Sequence, residues 1–116
     1  MARIGLLVTA SPFQFQQWET AADLAEAALA KGHQVSMFLY MDGVLSASRR
    51  QSLPGSQRLP RQRMAGLLER GARVLVCGTG AALRGLGAAD VVEGVAIGGL
   101  PDFAAAVGEM DRLVSL

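Results

Sequence analysis

Three short apolar runs, each too brief for a helix and each followed by a turn signal, set the strongest limit on what this chain can become. They are Arg3 to Thr9 (RIGLLVT), His33 to Tyr40 (HQVSMFLY) and Arg73 to Cys77 (RVLVC). Short continuous runs of this kind are expected of strands buried on both faces. Between the first two, Trp18, Ala22, Ala25 and Leu29 recur at helical spacing, with Ala21, Leu24 and Ala28 widening the stripe. Lys31 and Gly32 close that helix. Asp42 to Leu59 carries weaker signals and reads mostly as loop, with one helical turn near Val44 to Ser48. Pro60 then opens a second helix, whose buried face is Met64, Leu67 and Leu68 and whose end is Gly71.

After the third run, Gly78-Thr79-Gly80 reads as a tight turn into a helix that starts at Ala81 to Arg84. Val91 to Ile97 reads as a fourth strand and Arg112 to Leu116 as a fifth. Between them Pro101 opens a helix with Phe103, Ala106, Val107 and Met110 as its apolar positions. Strands alternating with helices predict an α/β fold: a three-layer α/β/α arrangement with a mainly parallel sheet of about five strands, covered on both sides. With 116 residues, positions 1–116 read as one domain.

Composition removes several function classes. The chain is 51% hydrophobic and 18% charged, which fits a packed globule and not a disordered segment. Eleven basic against ten acidic residues leave a net charge of +1, so direct nucleic-acid binding is not expected. No stretch approaches the roughly 18 apolar residues of a membrane span, and no signal peptide is visible, so a cytoplasmic location is expected. Cys77 is the only cysteine and His33 the only histidine. An internal disulfide and a multi-cysteine metal site are therefore excluded, and no metal site is expected.

In parallel α/β sheets, ligands and chemistry collect at the carboxyl ends of the strands. That rule singles out Val8-Thr9-Ala10, Tyr40-Met41-Asp42 and Cys77-Gly78, and it sets His33 at the wrong edge. Cys77 ends a strand and directly precedes a helix start, where free backbone N–H groups stabilise an anion. Helix N-termini and nearby cations favour the thiolate, the nucleophilic form of cysteine. Gly78, Thr79, Gly80 and Arg84 are the residues placed to assist. Arg49, Arg50, Arg58, Arg61 and Arg63 form a basic stretch with no acid between positions 43 and 68. It is either a solvated loop or a surface that docks a partner or holds an anion, with Arg49 and Arg50 as the candidates. Thr9 and Ser11 reach Cys77 if the first and third strands are neighbours, and Asp42 is placed to shape the site. The competing reading makes Cys77 a buried small hydrophobe, the commonest state of a free cysteine. The glycines invite a dinucleotide fingerprint, but Leu83 stands where its third glycine belongs.

The run Cys77-Gly78-Thr79-Gly80-Ala81-Ala82-Leu83-Arg84-Gly85-Leu86 resembles the active-cysteine segment of the DsrE/TusD family of sulfur-relay proteins. Lys31-Gly32-His33, Tyr40-Met41-Asp42-Gly43-Val44 and Met110-Asp111-Arg112-Leu113-Val114 extend the resemblance over most of the chain. It implies a sulfurtransferase or persulfide carrier: Cys77 accepts sulfane sulfur from a donor protein and passes it to a cysteine of an acceptor protein, without metal or organic cofactor. It also implies assembly into a trimer or hexamer, of one chain or of several kinds. Some relatives carry a second cysteine three positions on, where this chain has Gly80, so a single-cysteine carrier is expected. The alternative is a non-catalytic subunit or small-ligand binding module in which Cys77 is buried.

Overall fold

The structure, a computed structural model, describes residues 1–55 and 59–116. Strand β1 (Arg3–Val8) leads into helix α1 (Gln17–Ala30) and strand β2 (Gln34–Leu39). A 3₁₀ segment, Met41–Ala47, precedes α2 (Pro60–Glu69), β3 (Arg73–Cys77) and α3 (Gly78–Leu83). Strand β4 (Ala96–Gly98), helix α4 (Leu100–Val107) and strand β5 (Arg112–Ser115) complete the chain. Gly32 ends α1 in the left-handed region at φ +83°, and the His33 N–H returns to the Ala28 carbonyl at 3.0 Å. Only a residue without a Cβ makes that stop cheaply.

The five strands lie in the order β4-β3-β2-β1-β5, every neighbouring pair parallel. Handedness explains the layers. From β1 to β2 to β3 the chain steps in one direction, so right-handed crossovers put α1 and α2 on one face. The return from β4 to β5 runs the other way and puts α4 on the opposite face. Alternation along each strand fits this division. Leu6, Val8, Val35, Met37, Leu39, Val74 and Val76 bury against Trp18, Ala21, Met64 and Leu67. Each of the larger side chains contributes roughly 1.5–3 kcal/mol by leaving water. The α4 face is thinner: Phe103 meets Phe38 at 4.6 Å and Tyr40 at 5.4 Å between ring centroids, yet no residue of α4 is buried.

The three-layer α/β/α expectation is therefore met by a third layer of one short helix. The sheet is not fully covered there: a cleft of about 580 Å³ opens between the amino ends of the strands and α4. Two other expectations are corrected. Helix α3 begins directly at Gly78, with no separate turn before it. The fourth strand is only Ala96–Gly98, because the chain turns at Gly94 (φ +96°). Val91 and Val92 are buried by another route: Val91 forms an antiparallel bridge with Ser48, and the Val92 N–H donates to the Ala47 carbonyl at 2.8 Å.

The basic stretch is divided by the fold. Arg63, with only 10% of its side chain exposed, lies against α1 and meets Glu19 (2.8 Å), Asp23 and Glu26 (3.1 Å). Those acids fall one turn apart on one stripe of α1, so a single cation satisfies all three. Arg63→Met removes that cation and leaves three carboxylates repelling one another at the surface. A loss of about 1–2 kcal/mol is expected, since the acids remain partly hydrated. Urea unfolding followed by the emission of Trp18, fully buried in the core, measures it.

Candidate functional site

The carboxyl end of the sheet is built from three chain segments. Strand β3 delivers Cys77 there as the residue that caps α3. Its Sγ accepts the Gly80 N–H at 3.4 Å, and the side chain is half-buried. Cys77 packs against the edge of the main core cluster. Gly78 is packed tightly, since a Cβ there would sit 3.1 Å from Ile97, whereas Gly80 lies beside Sγ and Val44 with ordinary spacing. Thr79 is exposed at the start of α3. Glycines thus let the helix begin right after the sulfur and expose the N–H that meets it.

The segment after β2 supplies the second group. Register pairs Leu39 with Val76, Tyr40 and Cys77 follow them directly in the chain, and the sulfur lies near enough to act on the phenol. Met41 adopts φ +50°, a conformation that costs a non-glycine residue roughly 1 kcal/mol or more. This turn separates its neighbours: Tyr40 stays extended against Phe103, while Asp42 reaches α3. There the Asp42 carboxylate accepts from Arg84 Nε at 2.7 Å, and Arg84 also donates to the Gly80 carbonyl at 3.0 Å. Arg84 is thus drawn into the site expected of it, but as a brace between α3 and the Met41–Ala47 segment, with its charge paired to Asp42.

The sequence marks Tyr40 only as part of the carboxyl end of the second strand and gives it no role of its own. Its hydroxyl oxygen is sealed from solvent and has no hydrogen-bond partner among the described residues. Burial raises its pKa above the usual 10.0, and the acidic groups of Cys77 and Asp102 nearby raise it further. The sign is clear. A phenol favoured as neutral in the fold contributes stability below pH 10 that is lost as pH rises through the folded value. Because the chain has one tyrosine, its alkaline absorbance titration is assignable, and the midpoint is expected above 10. The signal was present in the sequence as the last residue of the second apolar run, but its relevance depended on which strands pair.

Other candidates fall elsewhere. Strand β2 lies between β1 and β3, so Thr9 and Ser11 are not brought alongside Cys77 by strand pairing. Ser11 instead accepts the Phe13 N–H through its hydroxyl at 3.2 Å. Arg49 lines a shallow cleft with Arg61, Gln62, Ala65, Val92 and Glu93, and Arg50 Nε stands 4.0 Å from Asp90. Neither is in the group of contacts around Cys77. Arg61 is held by Gln51, and Arg58 lies outside the described residues. His33 Nδ1 accepts the Ala2 N–H at 2.9 Å, a structural tie at the far edge of the sheet.

Comparison with known proteins then gives this geometry a context. Residues 2–116 match the family model described as the DsrE/DsrF-like family. The chain is 31% identical over 114 residues to an uncharacterised protein of Methanopyrus kandleri, covering 96% of this chain and 91% of that one. It is 34% identical over 125 residues to a protein of Serratia proteamaculans named sulfurtransferase TusD, covering 94% and 95% of the two. Among solved structures, the ychN protein of E. coli has the same fold, with a TM-score of 0.90 over 100% of both chains at 24% identity.

Proposed function

The chain belongs to the DsrE/DsrF-like family, and on that footing we propose that it relays sulfur, with Cys77 as the atom carrier. A relative named as a sulfurtransferase supports the class of reaction. The observation that carries the residue assignment is the half-buried Cys77 at the carboxyl end of β3, whose sulfur accepts a backbone N–H from the first turn of α3. A sulfur so placed has a backbone amide to hold it as an anion.

The chemistry is two exchanges of the same kind. The Cys77 thiolate attacks the outer sulfur of a donor persulfide. The new S–S bond forms as the donor's S–S bond breaks, and its electron pair leaves on the donor thiolate. An acceptor thiolate next attacks the outer sulfur on Cys77 and releases Cys77 as thiolate. Electrons balance in each step, so no oxidant or reductant is required. Donor and acceptor are proteins that present cysteine. Leu113 and Val114 on the edge strand β5 are exposed by 41% and 38%, and they are the surface on which copies would join into a trimer or hexamer.

The test is direct. Protein incubated with a small persulfide donor and examined by intact mass should gain one sulfur atom, removable by a thiol acceptor. A chain that gains none, under conditions that load a DsrE/DsrF-like relative, refutes the assignment. The alternative of an inert subunit requires a sealed thiol; the half-buried state of Cys77 disfavours it.

A further inference from the structure

We infer that the Tyr40 hydroxyl is the donor that holds the transferred sulfur, an inference that rests on the Cys77 carrier reading. Three observations converge on it. Tyr40 and Cys77 directly follow Leu39 and Val76, the last register pair of β2 and β3, and the Cys77 sulfur lies near enough to act on the phenol. Neighbouring strands lie roughly 4.8 Å apart. The hydroxyl is buried and has no acceptor among the described residues. An unpaired buried hydroxyl is costly, and native proteins retain one where something else completes it.

The second sulfur of a persulfide is that missing acceptor. It extends about 2 Å beyond Sγ. Sγ itself is already engaged with the Gly80 N–H at 3.4 Å, so the amide serves the inner sulfur and the phenol the outer one. Asp102, the other acidic group beside the phenol, has its Oδ2 occupied by the Gly99 N–H at 2.8 Å. The raised pKa of Tyr40 keeps its proton in place through neutral pH, as a donor requires. The ring is positioned independently of the sulfur: it packs on Phe103, and the Tyr40 N–H donates to the Val8 carbonyl at 3.0 Å. Tyr40 thereby stabilises the loaded state, and it does so without taking part in the bond exchange.

Tyr40→Phe keeps the ring contact and deletes only the hydroxyl. The loaded fraction at a fixed, subsaturating amount of a small persulfide donor is the first readout, taken by intact mass. A charge-assisted hydrogen bond lost from the anionic form lowers the loading constant by about tenfold. The second readout needs no variant. The ultraviolet resonance Raman bands of the only tyrosine report whether its phenol donates, and they should shift when unaltered protein is loaded. Tyrosine bands that do not move on loading, or a Tyr40→Phe protein that loads as fully as the unaltered one, overturn the inference and leave the carrier reading standing. Failure of the unaltered protein to load at all overturns both.

Discussion

Cys77→Ser should fold normally and take up no sulfur. The fold has little to lose. Serine is a preferred N-cap residue, and its hydroxyl can receive the Gly80 N–H that the sulfur now accepts. The change in stability should therefore stay within about 1 kcal/mol. The chemistry has everything to lose, because an alcohol at neutral pH is not ionised and cannot form a persulfide. No second thiol exists to take over. Intact mass after exposure to a persulfide donor should show no added sulfur, while Trp18 emission shows an unchanged unfolding midpoint. Sulfur found on the serine variant would show that uptake does not occur at Cys77, and the relay reading would have to be abandoned.

Gly43→Ala should be the most destabilising of these substitutions. A Cβ at this position would overlap the Val8 carbonyl oxygen and lie 2.8 Å from its carbon and 3.3 Å from Thr9 Cα. All three are backbone atoms at the end of a central strand, and they cannot swing aside as a side chain would. The Val8 carbonyl is further fixed by the Tyr40 N–H at 3.0 Å, and the Gly43 N–H itself donates to the Tyr40 carbonyl at 2.8 Å. Relief must come from moving the Met41–Ala47 segment. The expected cost is about 3 kcal/mol or more, the upper range for overpacking. That shift would also carry Tyr40 away from Cys77 and Asp42 away from Arg84. Urea midpoints measure the first effect and persulfide loading of the still-folded fraction the second. A stability loss below about 1 kcal/mol would mean that the segment is softer than its contacts imply.

Local sequence carries these expectations unequally. The third strand, Arg73 to Cys77, is legible to its last residue, because a β-rich apolar pentad meets a glycine there. The first helix and its Gly32 stop are equally plain. The expected strand from Val91 to Ile97 fails for a physical reason. Val91 and Val92 are buried beneath the segment near Ser48, outside the sheet, and apolar content alone does not distinguish a covered loop from a strand. The arginines fail differently. No acid lies near Arg63 in sequence, yet three lie one helix away in space. A charge run reads as solvated only until its partners from another element are known.

The site shows the same division. Position makes Cys77 a candidate, since a strand end that opens a helix offers an amide to an anion wherever the strand lies in the sheet, and the family resemblance adds to it. The same rule marks the end of the second strand, Tyr40 included, but not which strand stands beside Cys77. The handed return of α4, which seats Phe103 against its ring, and the pairing of β2 with β3 are decided by contacts between distant segments. Local residue preferences thus specified the elements, their order and the candidate sulfur. Strand order and face were set by burial and crossover handedness, and they chose Tyr40 over Thr9 as that atom's neighbour.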